Sequence, residues 1–124
     1  MTRRALTGGG AVIFVFGSNL AGRHGKGAAL HAMIHYSAEY GKGVGRTGYA
    51  YAIPTKDERL RPLPLTSIAG YVSEFLDYAR AHPELEFEIT KIGCGLAGYS
   101  EHEIKPMFIG PPANCHLPYG WDTQ

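Results

Sequence analysis

The amino-acid sequence predicts a compact α/β protein: a three-layer α/β/α sandwich around a mainly parallel or mixed sheet. Three observations lead there. Residues 11–16, A-V-I-F-V-F, are an unbroken apolar run, the mark of a strand buried on both faces. Strand-like and helix-like segments then alternate along the chain, as they do in βαβ units. Two glycine-rich loops each follow a β-like run and precede a helix-like stretch, which puts both at the carboxyl edge of the sheet.

Element by element, residues 27–40 favour a helix, with Leu30, Met33 and Ile34 at helical spacing and Gly41-Lys42-Gly43 as its end. Residues 49–53, Y-A-Y-A-I, read as a second strand stopped by Pro54. A polar loop over 55–65 leads to Thr66, the expected N-cap of a helix that reaches His82. Its apolar stripe is Ile68, Val72, Phe75, Leu76 and Ala79, and Pro83 marks the exit. Leu85, Phe87 and Ile89 alternate with polar residues, giving a third strand. Ser100 to Phe108 reads as a short helix, with Ser100 and Glu103 as a capping box. Cys115 to Pro118 forms a short last strand, the fourth. One domain is expected over residues 11–121, with residues 1–10 as an N-terminal extension.

The 124 residues are 44% hydrophobic and 19% charged, enough to build one core and too apolar for a disordered chain. A net charge of +1 offers no bulk attraction to nucleic acid or membrane. Arg3, Arg4, Arg23, Lys26, Lys42 and Arg46 nevertheless share the first half. Two cysteines do not make a disulfide framework. No apolar stretch approaches the roughly 18 residues of a membrane span, and no secretory apolar segment precedes Gly17. A reduced, cytoplasmic protein is expected.

The first loop runs from Gly17 through Asn19, Arg23 and Lys26 to Gly27; the second runs from Gly93 to Tyr99. Rows of main-chain N–H groups beside a helix N-terminus hold phosphate, and two such loops suit two phosphates. Gly93, Gly95 and Gly98 match G-x-G-x-x-G, but too few residues follow for the acidic partner of a dinucleotide fold. The match is a generic phosphate loop or a tight turn without ligand. Gly27 follows Lys26, so the first loop is not a Walker A sequence. Arg23, His24 and Lys26 either reach an anion or stay solvated. Asn19, just past a buried strand, either orients a sugar hydroxyl or serves its turn. His31 and His35 are spaced i, i+4, but nothing completes a metal site, so neither metal nor cofactor is expected. Lys56 follows a strand. It is either an amine nucleophile held at the strand's carboxyl end or a loop lysine beside Asp57 and Glu58.

Together these pieces resemble the macro domain, the ADP-ribose-binding fold, over about residues 11 to 118. The closest branch looks like the one that removes ADP-ribose from DNA ends and acidic side chains. Ile92-Gly93-Cys94-Gly95-Leu96 is nearly that branch's signature; His24-Gly25-Lys26-Gly27-Ala28-Ala29 resembles its first phosphate loop. Ile53-Pro54-Thr55-Lys56 resembles the strand end that carries its catalytic lysine.

The resemblance implies roles. Asn19 would contact the distal ribose. Gly25, Lys26, Gly27 and Ala28 would face the diphosphate and distal ribose from one side. Gly93, Cys94, Gly95, Leu96, Ala97, Gly98 and Tyr99 would wrap the diphosphate from the other, with Tyr99 near the distal ribose. Lys56 would attack the anomeric carbon. Ala97 stands where members with a lysine–acid pair carry Asp, and the early Gly-Asp that reads adenine in many macro domains is missing. The expected activity is ADP-ribosyl hydrolysis on modified nucleic acid or protein. A non-catalytic binder of ADP-ribose or a cyclic NAD-derived nucleotide is the alternative. Nucleic-acid binding through Arg23, Lys42 and Arg46 is a third class.

Overall fold

The 11–16 run becomes the middle of the sheet. In the computed structural model, which describes residues 11–121, β1 (Val12–Asn19) pairs in parallel with β3 (Ala50–Lys56) on one side and with β4 (Glu86–Ile89) on the other. Residues 1–10, read as an extension, lie outside the described residues. The sheet order is β2-β3-β1-β4-β5, where β5 is Cys115–His116, parallel to β4. The short β2 (Gly45–Thr47) runs antiparallel to β3 and makes the sheet mixed. The sheet therefore has five strands against the four read from the sequence. Gly45-Arg46-Thr47 is a three-residue edge with no apolar alternation, so it left no pattern to read.

Alternate side chains of β1 serve opposite faces. Phe14 and Phe16 join Ala29, Ala32 and Tyr36 of α1 (Gly27–Tyr36) in one cluster. Ile13 and Val15 join the other cluster, under α2 (Leu65–Ala81) and α3 (Glu101–Ile104). The result is the expected three-layer sandwich. The buried residues of α2 are Ile68, Val72, Phe75, Leu76 and Ala79, the stripe expected from spacing.

Several boundaries differ from expectation, each for a local reason. The first helix stops at Tyr36, not Tyr40. Ser37 turns left-handed (φ 62°), and the β2–β3 turn docks on the helix end, with Tyr49 N–H donating to Tyr36 O at 2.8 Å. A Cβ on Gly48 would lie 2.4 Å from Ser37 O, so that docking needs glycine. Pro54 does not stop β3. The pairing with β2 reaches only to Ala52, opposite Gly45, so Pro54 sits where one flank has no strand neighbour to bond. Pro64, not Thr66, precedes the first turn of α2, with its carbonyl accepting from Ser67 and Ile68 N–H. The neighbours Leu63 and Leu65 pack on the core and draw the helix start forward. The capping box of Ser100 and Glu103 is present, with Ser100 N–H donating to Glu103 Oε1 at 2.9 Å. That helix keeps one α turn and tightens to 3₁₀ over Lys105–Phe108, since Pro106 has no N–H to give an α-helical bond. At β5 the buried Asn114 donates through Nδ2 to the carbonyls of Ala79, His82 and Leu85, tying the strand to the exit of α2.

From β1 the chain crosses to β3 on one side, and from β4 it crosses to β5 on the other. The strands on either side of that switch point are β1 and β4. A crevice at their carboxyl ends is where open α/β sheets hold ligands.

Candidate functional site

A cleft of about 630 Å³ opens at that place, within the range of small-molecule sites. Its floor is the carboxyl end of β1 (Gly17, Ser18, Asn19) beside Thr55 and Lys56 of β3. One wall is Arg23 and Gly25 to Ala29, entering α1. The other wall is Thr90 to Gly93 and Gly95 to Ala97, leaving β4. The two loops meet at the floor: a Cβ placed on Gly17 would sit 3.5 Å from Gly93 N.

Of the residues expected at the site, Asn19, Gly25, Lys26, Gly27, Ala28, Lys56, Gly93, Gly95, Leu96 and Ala97 line this one cleft. Cys94, Gly98 and Tyr99 do not line it. The Tyr99 hydroxyl donates instead to Leu63 O, and its ring packs against the α2-side core. Cys94 turns into the same core, where burial pushes its thiol up. Cys115, also unbridged, is pushed up to about 12 by burial, which leaves neither thiol suited to nucleophilic chemistry. His24 is neither solvated nor in the cleft. It is fully buried, its Nε2–H donates to Lys42 O at 3.1 Å, and its ring edge meets Phe16.

The first loop is braced from behind. Asn19 Oδ1 accepts from Arg23 N–H and Asn19 Nδ2 donates to Arg23 O, both at 2.9 Å. This is the turn role considered for Asn19, and it leaves one N–H and one oxygen lone pair of the amide unspent. Ser18 Oγ donates to Gly43 O, and a Cβ on Gly43 would lie 2.1 Å from Asn19 O. Gly25 and Gly95 are different: neither has a left-handed φ, and a Cβ on either would meet nothing within 4 Å. Packing does not require glycine there; an approaching ligand would.

Four cations line the cleft, Arg23, Lys26, Lys56 and Lys91, and no carboxylate does among the described residues. Lys91 is paired with Glu101 at 3.0 Å; the other three have no ion-pair partner among the described residues. The Trp121 indole N–H and Lys91 hold the Glu101 carboxyl below its usual range. Asp57, the neighbour of Lys56 in sequence, does not line the cleft. Its carboxylate accepts from Arg59 N–H, Arg61 N–H and Arg61 Nε–H, which holds it below its usual range and closes the 57–61 turn. Arg46 is likewise spent, on Gly48 O and the Tyr78 hydroxyl. Among the described residues no group of three or more His, Cys, Asp or Glu is placed to hold a metal. No helix there is long and apolar enough to cross a membrane.

Sequence reasoning missed Ser18, Thr55, Leu60, Thr90 and Lys91 as lining residues. Ser18 and Thr55 lie within a recognised loop and strand end, and Thr90 and Lys91 precede the second loop. Leu60 comes in through a left-handed φ of 64°, which no sequence pattern announces for leucine.

A five-stranded mixed sheet between helices, with a glycine-walled cleft at its carboxyl edge, is the macro-domain fold. The structure is similar to the macrodomain of Mycobacterium tuberculosis DarG, with a TM-score of 0.64 and 16% identity, covering 90% of this chain and 89% of that one. It is also similar to a protein of unknown function from Bacteroides thetaiotaomicron, with a TM-score of 0.58 and 18% identity, covering 80% and 78%. At these identities the likeness is one of fold. No family model and no curated protein matches the sequence.

Proposed function

We propose that the cleft binds ADP-ribose and that the protein is an ADP-ribosyl hydrolase acting on modified nucleic acid or protein. One observation carries the binding: two glycine loops and three unpaired cations face a single cleft that no carboxylate lines among the described residues. Charge-assisted bonds to phosphate contribute about 1.5–3 kcal/mol each. A few of them, with main-chain N–H groups, support a Kd on the order of micromolar. In this reading Lys26 and the amides of Gly25, Gly27 and Ala28 hold the diphosphate from one wall, with Gly93 to Ala97 on the other. Asn19 turns its unspent N–H to the distal ribose. Lys56, at the floor, is the nucleophile: Nζ bonds to the anomeric carbon as the bond to the acceptor breaks, the electron pair leaving with the acceptor. Water then releases ADP-ribose and restores the amine.

A specific feature favours binding without turnover. Ala97, the position of the acid in lysine–acid members, is buried, and among the described residues the cleft has no carboxylate to assist Lys56. Calorimetry with ADP-ribose and a turnover assay on ADP-ribosylated DNA and protein separate the two readings. For a hydrolase, Lys56→Ala abolishes release while Kd changes less than about threefold. Full release by that variant removes Lys56 from the mechanism; tight binding with no release by the native protein leaves the binder.

A further inference from the structure

A strained leucine lines the cleft. Among the described residues only Ser37 and Leu60 hold a left-handed φ without being glycine. That conformation crowds a Cβ against the following carbonyl oxygen. At Ser37 the bend lets the β2–β3 turn dock on the end of α1. At Leu60 (φ 64°) the strain serves no packing of this kind. Leu60 packs with neither apolar cluster of the described residues, whereas its neighbours Leu63 and Leu65 pack on the α2-side core. It is 43% exposed and turned to the cleft instead.

The turn that holds it is firmly closed. Leu60 N–H donates to Asp57 O at 3.0 Å, and Asp57 N–H donates to Arg61 O at 2.8 Å. The Asp57 carboxylate accepts from the N–H groups of Arg59 and Arg61. With the left-handed residue last, this is a three-residue hairpin loop, and its last position normally takes glycine. Lys56 bridges Pro62 in antiparallel fashion, and Leu63 N–H donates to Thr55 O at 2.8 Å. One hairpin therefore carries both Lys56 and Leu60. Strain of this kind persists where the surrounding bonds over-determine it, and it concentrates at ligand clamps. A branched apolar side chain there covers the C–H face of a sugar, which glycine cannot do.

We infer that Leu60 is a ligand-contact residue, held by the 57–61 turn against the sugar that reacts beside Lys56. The inference rests on the ADP-ribose reading above. The test is calorimetry on the full chain with ADP-ribose and with ADP, which keeps the diphosphate and lacks the distal ribose. Leu60→Gly removes the strain, so its melting temperature holds or rises by up to about 4 °C. Its affinity for ADP-ribose nevertheless falls about tenfold, while its affinity for ADP stays within about threefold of the native value. Leu60→Asn adopts the left-handed region readily and keeps the turn rigid, and it loses ADP-ribose affinity to the same extent. Leu60→Met restores an apolar contact and stays within about threefold of native. Unchanged ADP-ribose affinity in Leu60→Gly or Leu60→Asn overturns the inference. So does an equal loss for ADP, a melting temperature several degrees lower in Leu60→Gly, or a Leu60→Met as weak as Leu60→Gly. Each of these leaves the ADP-ribose reading standing. A native protein that does not bind ADP-ribose ends that reading, and this inference with it.

Discussion

The two glycine loops do the same work at the cleft but are built differently. The first is braced by bonds that reach across the chain: Ser18 to Gly43, His24 to Lys42, and Gly41 N–H to Gly22 O at 2.8 Å. The second is held mostly by its own short turns, with Cys94 N–H on Lys91 O, Gly98 N–H on Gly95 O and Tyr99 N–H on Gly93 O. Its tip, Leu96, is exposed. Non-local bonds to a packed segment make opening cost part of the global stability, whereas a loop closed on itself opens alone. The first loop is thus tied to the rest of the chain by several such bonds, and the second chiefly by the Tyr99 hydroxyl on Leu63 O.

The contrast can be broken at Gly43. Gly43→Ala drives a Cβ against the Asn19 carbonyl and costs about 3 kcal/mol or more, read as a fall in melting temperature. A variant as stable as the native protein would mean the brace is slack. Next comes Asn19→Ala, which strands Arg23 N–H and C=O and costs about 2 kcal/mol. Denaturant titration with an unchanged m-value would place that loss in the folded loop. On the second wall the order of effects reverses. Gly95→Ala meets no neighbour and no backbone strain, so the melting temperature holds or rises. ADP-ribose affinity falls about tenfold as the new methyl group enters the cleft. Equal affinity would show that the ligand does not approach Gly95.

The smallest effect concerns the 57–61 turn that presents Leu60. The Asp57 carboxyl is held below its usual range chiefly by the Arg61 N–H. A depressed carboxyl contributes stability that is complete above its unfolded value and lost as pH falls through the folded one. The native protein should therefore lose this contribution below about pH 4. In Asp57→Asn the melting temperature should fall less steeply from pH 5 to pH 2; an identical slope would exclude Asp57 as a source of acid sensitivity.

Where a feature is a repeated local choice, it was legible. The α2 stripe, the β1 run and the Ser100–Glu103 box depend on spacing or on a side chain's own backbone, and the structure contains them as read. Gly25 and Gly95 were visible as members of glycine-rich loops. Their lack of any packing role was not, because that depends on which residues lie opposite.

The order of strands and helices, the layering and the carboxyl-edge position of both loops follow from the sequence, because burial periodicity and turn chemistry act over a few residues. Tertiary structure alone decided the edge strand β2, the end of α1 at Tyr36, the burial of His24 and the turning of Tyr99 toward Leu63. The last three are set by partners at least ten positions away along the chain, and β2 exists only because β3, its near neighbour, is itself held in the sheet by β1; local propensity carries no record of such partners.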